Sequence, residues 1–492
     1  MLGFGLLATI QPLFLYWARC VELFSGDQST NSNSTINATE LCARLSKNNT
    51  LQDIVERDIS TWSIYMTLGS HIPTLITAPL LGAWADSTGG RKKPLIISII
   101  GFTLYGVMQV ISTFTYKTQS VYIWLFLSGV LSGCCGGFMT MFATCFTIVT
   151  DDSRNDLTHG PLNSNIPIRV GIATALHMFS STMGGVLASI ITSLYLDERS
   201  YILASSCGTL FMLGSLLYAI LFVRETHQPN IALLEKSDDG QQSTRVCALC
   251  VKFCAGIGEK CTSFISVLVE KRESWTRLCL NLSLFFVFVE VLSEPKSLLL
   301  LIVKRPPFEW SDSEWTNYSI IRGCTYAFGM IVWPVLIART NWLGKDSILI
   351  IGGVFSAAVI SILLAFAQDN TILYLCAGLA VFFGASSPGF RTFLPRLVRP
   401  EETARLMTAF GVVISLCPIV SSLIFNTIFN ATLNVWPGLI FLIAGILMFA
   451  VSAGQCFVHL LMRPLWKEKS SAGFEPLVNE EQCDIVDHEI VA

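Results

Sequence analysis

The amino-acid sequence predicts an all-α membrane protein with twelve transmembrane helices in two six-helix bundles. Three observations lead to that class. Of the 492 residues, 52% are hydrophobic and only 14% charged, whereas a soluble globular chain carries about 25% charged residues. Apolar runs near the length needed to cross hydrocarbon as a helix, about 20 residues, recur twelve times along the chain. One long polar stretch, Arg224–Thr276, divides these runs six and six.

The spans follow in chain order. Span one is Met1–Cys20. Its opening stretch, Leu2 to Tyr16, lacks a basic leading segment and a small-residue cleavage site, so it reads as a span and not as a signal peptide. The chain starts almost inside this span, so a preceding cytosolic segment is expected to be absent or missing. Spans two to six are Trp62–Ala85, Pro94–Phe114, Val121–Thr150, Ile166–Leu194 and Tyr201–Val223. Spans seven to twelve are Leu278–Val303, Ile320–Ala338, Ser347–Ala367, Ile372–Leu397, Ala404–Ile428 and Val435–Leu461. The runs are too long for barrel strands and lack period-two alternation, which leaves helices as the spanning element. The expected organisation is a bundle over 1–223, a central loop over 224–277, a second bundle over 278–461 and a tail over 462–492.

Basic residues orient the spans. Loops after even spans hold Arg91, Lys92 and Lys93, then Arg154 and Arg169, then Arg339 and Lys345, then Arg399 and Arg405. Loops after odd spans are poorer, with Lys117, Lys304 and Arg305. Even loops and both termini are therefore expected in the cytoplasm. Asn-x-Ser/Thr sequons at Asn33, Asn37, Asn48, Asn317 and Asn430 all fall at odd loops, the side on which glycosylation occurs. Asn281 also matches, but at the start of a span.

Composition excludes several functions. A net charge of -3 gives no field for nucleic acid. Most of the 16 cysteines sit in apolar runs, where they act as small hydrophobes and not as a disulfide framework. Cys247, Cys250, Cys254 and Cys261 interleave with apolar residues and with Lys252 and Lys260. That pattern fits an interfacial amphipathic helix with cysteines open to palmitoylation better than a zinc site. The tail around Glu475 is a solvated acidic segment with a faint likeness to a dileucine sorting signal. No nucleophile–base pair, metal-ligand run or phosphate-binding loop is present, so neither an enzyme, a cofactor nor an ATP-driven pump is expected.

The loop between spans two and three reads Gly82-Ala-Trp-Ala-Asp86-Ser-Thr-Gly89-Gly90-Arg91-Lys92. It resembles the signature loop of the major facilitator superfamily with one extra glycine, and the resemblance implies the major facilitator fold. Gly82 is expected to let helices approach closely, Asp86 to cap a helix end and pair with a cation, and Gly89 to make the turn. Asp86 and Arg91 would form a gate latch, with Lys92 beside them. Further stretches are Trp62-Ser-Ile-Tyr65-Met66-Thr-Leu-Gly69, Pro388-Gly-Phe-Arg391-Thr-Phe-Leu-Pro-Arg396 and Asn426-Thr-Ile-Phe-Asn-Ala431-Thr432-Leu433-Asn434. They resemble solute carrier family 46, whose members include the proton-coupled folate transporters. The resemblance implies transport of folates or, as in other members, of muropeptide-like or conjugated organic anions, with protons.

Charges inside spans cost roughly 2.5–3.5 kcal/mol each on insertion scales and usually face a cavity or a partner. Arg391, placed mid-span in ten, matches the family's span-ten arginine and offers a fork for a carboxylate. Arg322, early in span eight, is a second candidate anion partner; the alternative is snorkelling to the outer surface. Span seven carries Glu290, Glu294, Pro295 and Lys296. The two glutamates share a helical face, and Pro295 breaks the backbone ladder as in a discontinuous binding helix. Glu290 and Glu294 are candidates for proton uptake; Glu294 neutralised by Lys296 near the outer end is the alternative. His71 and His177 are intramembrane and titrate near neutrality, though a hydrogen-bonded structural histidine is the commoner case. Asp151, closing span four, matches a family position and is a further proton-coupling candidate, with a cytoplasmic latch beside Asp152 and Arg154 as the alternative; Arg169 also matches a family position. Thr174 stands where the folate transporter has an acidic residue tied to proton coupling, and span seven lacks the family's histidine. Relatives also have a Cys-Trp pair between spans seven and eight, with a disulfide to the first loop implied. Here Glu309-Trp310 stands there, which removes that partner from Cys42.

The combined expectation is a secondary transporter of a small organic anion, folate-like by family and proton-coupled, working by alternating access. A receptor or scaffold on the same fold is the competing class. The plasma membrane is the expected location, with an endosomal or lysosomal membrane as the alternative.

Overall fold

The computed structural model describes residues 1–25, 42, 49–85, 90–157, 166–194, 198–226, 269–270, 275–340, 342–398 and 403–471. Of Asp151, Arg169, Thr174 and Lys296 the backbone alone is described. Asn33, Asn37, Asn48, Asp86, Gly89, the cysteines of the central loop and the tail beyond Ser471 lie outside the described residues.

Helix occupies each of the twelve predicted spans. The first bundle comprises α1 (Leu2–Ser25), α2 (Asn49–Trp84), α3 (Lys92–Thr115), α4 (Val121–Cys134), α5 (Gly137–Leu157), α6 (Ile166–Leu194) and α7 (Arg199–Leu221). The second comprises α8 (Thr276–Leu292), α9 (Lys296–Val303), α10 (Asp312–Ala338), α11 (Lys345–Ala365), α12 (Asn370–Phe383), α13 (Ser386–Phe393), α14 (Thr403–Thr432) and α15 (Leu439–Ser471). Among the described residues, 8 helices are long and apolar enough to cross a membrane unaided by their neighbours.

Three spans are broken. In span seven the break falls at Ser293–Pro295, between α8 and α9, where proline lacks the N–H a continuous helix needs. Span four, read from sequence as one run, parts between α4 and α5. Gly136 and Gly137 turn there with φ of 89° and 58°, a left-handed path that favours glycine. Carbonyls beside such a break cannot face lipid unpaired, and Gly133 O accepts from Gly136 N–H at 2.9 Å. Thr77 Oγ1 of α2 donates to Gly133 O at 2.7 Å, and Ser98 Oγ of α3 donates to Cys135 O at 3.2 Å. Span ten parts at Gly384–Ala385 and ends in a 3-10 turn, Leu394–Leu397. Trp333 Nε1 of α10 donates to Val381 O there at 3.1 Å.

Two helices overrun their predicted spans at the odd-loop end by two turns or more. α2 has 36 residues, a length of about 54 Å against about 30 Å of hydrocarbon, so its turns before Trp62 stand outside the span. α10 starts at Asp312 behind a capping box, in which Ser311 accepts from the Glu314 backbone and Glu314 accepts from Ser311 N–H.

One buried apolar cluster joins the two bundles: Leu6, Ile10 and Phe14 of α1 with Tyr116, Tyr122 and Tyr201 belong to the same core as Leu298, Trp310, Tyr318 and Phe425 of the second bundle. A further cluster, with Leu280, Val287, Ile350, Val354, Phe390 and Met448, lies within the second bundle. The bundles meet along two helix pairs, α2 with α14 and α6 with α10.

Candidate functional site

Between the bundles lies a cavity of about 680 Å³, within the 300–1,000 Å³ typical of small-molecule sites. The first bundle contributes Phe4, Gln11, Ser63, His71, Tyr105 and Phe138 to its wall; the second contributes Val291, Ser297, Trp315 and Ser415. Gly137 also lines it, so the break in span four opens onto this space. Tyr105 donates its hydroxyl to Gln11 Oε1, and Gln109 Nε2 donates to Tyr105 at 3.3 Å. No Arg, Lys, Asp or Glu appears among the described side chains of the wall. The cavity thus suits a molecule with ring or hydrocarbon surface and several hydrogen-bonding edges.

At the odd-loop end the bundles are tied together. Ser60 Oγ donates to Asn426 Oδ1 at 3.0 Å, Asn430 Nδ2 donates to Thr61 Oγ1 at 3.0 Å, and Ser189 Oγ donates to Asn317 Oδ1 at 2.8 Å. Tyr201 donates its hydroxyl to Asp312. Arg305, in the segment after α9, reaches across to α2, with Nη1 2.8 Å from Glu56 Oε2 and Nη2 2.5 Å from Asp53 Oδ1. Two of the sequon asparagines, Asn317 and Asn430, sit on helices at this end with their side chains bound to the opposite bundle.

The intramembrane charges gather in the second bundle. Glu294 forms an ion pair with Arg322 at 3.0 Å. Arg322 of α10 is thus a partner of Glu294, while the side chain of Lys296, the alternative partner, lies outside the described residues. Glu290 is buried, at 6% exposure. Tyr326 stands within electrostatic reach of Glu294, Glu290, Arg322 and Arg391 together. Arg391 is exposed and has no ion pair or hydrogen bond among the described residues. It is not mid-span, however. The break at Gly384 starts a new helix, α13, whose next residue after Arg391, Thr392, donates to Asp346 Oδ1 at 2.9 Å. Asp346 also pairs with Arg396 at 2.8 Å and opens α11 at an even loop, which puts Arg391 near the even-loop mouth.

The histidines differ. His71 lines the cavity. His177 packs against the rings of Phe138 and Phe142, at 5.6 and 5.1 Å, with Nδ1 buried and unpartnered.

The signature loop is described in part. A Cβ at Gly82 would meet nothing within 4 Å, so the close approach expected there is absent in this arrangement. Gly90, the extra glycine, takes the left-handed turn with φ 68°. The backbone N–H groups of Arg91 and Lys92 donate to the Glu225 carboxylate at 2.6 and 3.0 Å. That carboxylate, just past α7, holds the positive N-terminus of α3. Cys42 is bonded to Cys20. Trp310 is buried and donates to Asn370 Oδ1 at 2.8 Å.

Sequence reasoning missed the seal. Its one available signal was the density of charge before Trp62, where Asp53, Glu56 and Asp58 precede the span.

Comparison with known proteins places these features in context. A family model, Major Facilitator Superfamily, matches residues 58–316. The chain is 27% identical over 401 residues to the proton-coupled folate transporter of Bos taurus, covering 80% of this chain and 78% of that protein. It is 22% identical over 434 residues to a probable peptidoglycan muropeptide transporter of Drosophila melanogaster, covering 85% and 76%. It is 22% identical over 438 residues to the lysosomal proton-coupled steroid conjugate and bile acid symporter of Homo sapiens, covering 88% and 86%. The crystal structure of a human organic anion transporter shares the fold, with a TM-score of 0.54, 16% identity and coverage of 94% and 97%.

Proposed function

This chain belongs to the major facilitator superfamily, and from that premise we propose that it is a secondary transporter of a small organic anion, coupled to protons and working by alternating access. The family and the relatives above are transporters, not enzymes, and the chain is a multi-pass membrane protein. The observation that carries the reading is the cavity between the bundles, walled by both and tied shut at the odd-loop end. A solute site between rocking halves needs that combination.

We place the even loops in the cytoplasm, so the seal is outer and the cavity serves the inward-facing state. The basic bias of the even loops supports this orientation. So does the Cys20–Cys42 bond at the odd-loop end, since disulfides persist in oxidising compartments. The plasma membrane is the proposed location.

Arg391 is the proposed anion partner, supported by its unpaired guanidinium near the inner mouth. The Arg322–Glu294 pair and buried Glu290 form the proposed charge relay around Tyr326. His71, on the cavity wall, is the proton candidate that a solute would touch. Folates are the proposed first substrates to try, since a fused aromatic ring with carboxylates suits an aromatic and hydroxyl-rich wall.

The test is uptake into proteoliposomes of radiolabelled folates, muropeptides and bile-acid-like anions, at about pH 5.5 and 7.4, on either side of the histidine range. Flux of one class, faster at the lower pH, is expected. Absence of flux for every class would favour the receptor or scaffold reading.

A further inference from the structure

The outer seal holds a carboxylate that neither the cavity nor the charge relay uses. Glu56 of α2 is fully buried, at 0% exposure, at the junction of the two bundles. Its Oε2 accepts from Arg305 at 2.8 Å, while Oε1 is buried without a hydrogen-bond partner. Gln52, one turn earlier and also fully buried, has an unpartnered Oε1 of its own and lies in hydrogen-bonding reach of Glu56. Buried acceptors left unmet cost about 1–3 kcal/mol each. A proton on Glu56 would give its unmet oxygen a hydrogen, against Gln52, whose contact favours the charged carboxylate.

Charge counting leads to the same residue. Arg305 is shared by two carboxylates, Asp53 at 2.5 Å and Glu56 at 2.8 Å. The neighbouring cations are committed elsewhere. Arg19 of α1 pairs with Glu22 at 3.0 Å and Asp58 at 2.5 Å, and Lys304 pairs with Asp312 at 2.5 Å. Tyr16 of α1 and Tyr122 of α4 present neutral hydroxyls to the cluster, α14 presents the amides of Asn426 and Asn430, and Arg57 is exposed. The seal therefore carries more carboxylates than cations, and the excess sits at the most buried of them.

We propose that Glu56 is a proton-binding site of the outer gate: the gate closes with a proton on Glu56, and losing that proton loosens it. The assignment rests on the transporter reading and gives it a coupling site outside the span. Burial pushes the Glu56 carboxyl up to about 7, against the opposing pull of the Arg305 guanidinium. Exposed to water in an open gate, a glutamate returns to about 4.3. The closed gate thus holds the proton more tightly than the open one. Acidification from about pH 7 toward 4.3 favours closure by up to roughly tenfold per pH unit, and rising pH through 7 opposes it. A proton taken from an acidic exterior would drive the carrier inward-facing.

The experiment uses the full chain in liposomes without solute. A cysteine pair at Ser189→Cys and Asn317→Cys, whose parent side chains touch at 2.8 Å across the seal, reports closure through a bifunctional thiol reagent, read by mass spectrometry of the joined peptides. The cross-linking yield at each pH is divided by the labelling of the single Ser189→Cys variant with a monofunctional form of the reagent at that pH, which cancels thiol reactivity. The parent is expected to cross-link roughly tenfold more at about pH 5.5 than at 7.5 after that correction. Glu56→Gln, a mimic of the protonated acid, should cross-link highly at both. Asp53→Asn should keep the parent's step. A Glu56→Gln protein with the parent's step overturns the assignment. Should that variant not accumulate, Glu56→Asp carries the test, and a step at an unmoved pH is equally fatal. Because no solute enters the assay, missing flux would sink the transporter reading alone.

Discussion

At the scale of single residues, two arginines of the second bundle differ: Arg322 is paired with Glu294, and Arg391 has no ion pair among the described residues. Arg391 has no partner among the described residues, so its guanidinium is available to a carboxylate without first breaking a bond. Charge-assisted hydrogen bonds contribute about 1.5–3 kcal/mol, so Arg391→Ala should lower transport roughly tenfold or more at normal surface levels. Full-rate transport by that variant would remove Arg391 from the site. Arg322 and Glu294 behave differently, because each neutralises the other. Glu294→Gln leaves a guanidinium unpaired among helices and should destabilise the protein by up to about 3 kcal/mol, seen as earlier thermal unfolding in detergent. Adding Arg322→Gln should restore part of the loss, and an additive double variant would show the pair to be uncoupled. The identities of these residues were readable in the sequence from their cost in hydrocarbon. Their pairing was not, since Lys296 is two residues from Glu294 in the chain while Arg322 reaches it only through packing.

At the scale of elements, sequence patterning located the helices but not all their breaks. Pro295 announced the break in span seven, because a missing N–H is visible in any sequence. Gly136 and Gly137 did not announce theirs, since glycine is common in transmembrane helices. Their left-handed turn is visible only in the structure, where Thr77 and Ser98 donate to the carbonyls of Gly133 and Cys135 beside it. A Cβ at Gly136 would lie 2.5 Å from Thr140 Oγ1 and 2.7 Å from Leu81 Cδ1, on a backbone that costs an L-residue about 1–2 kcal/mol. Gly136→Ala should therefore unfold at lower temperature and narrow the cavity; an unchanged melting curve would contradict the turn. Gly82 gives the opposite expectation. It meets nothing within 4 Å here, so Gly82→Leu should leave stability unchanged and slow transport by obstructing closure of the inner end. Unslowed transport would mean that no helix ever closes on this position.

At the scale of the whole molecule, the two bundles meet along α2 with α14 and α6 with α10, and the described cross-links gather at the odd-loop end. Ser297 lies on the cavity wall. In right-side-out vesicles at rest, Ser297→Cys should resist an impermeant thiol reagent added outside and react after the membrane is opened. Labelling from outside at full speed would place the seal at the other end. Arg305 explains why the seal escaped notice in the sequence. It lies in a short loop as an ordinary basic residue, and its partners are about 250 positions away, with sequence separations of 249 and 252.

Composition, twelve apolar runs and the placement of basic residues determined by themselves that this chain spans a membrane as two bundles, because hydrocarbon admits only internally bonded helices of a set length. Which charges pair, where the glycine breaks fall and which end is shut were decided by tertiary structure alone. Those outcomes depend on which polar groups meet once the helices are side by side, and the partners concerned are far apart in the chain.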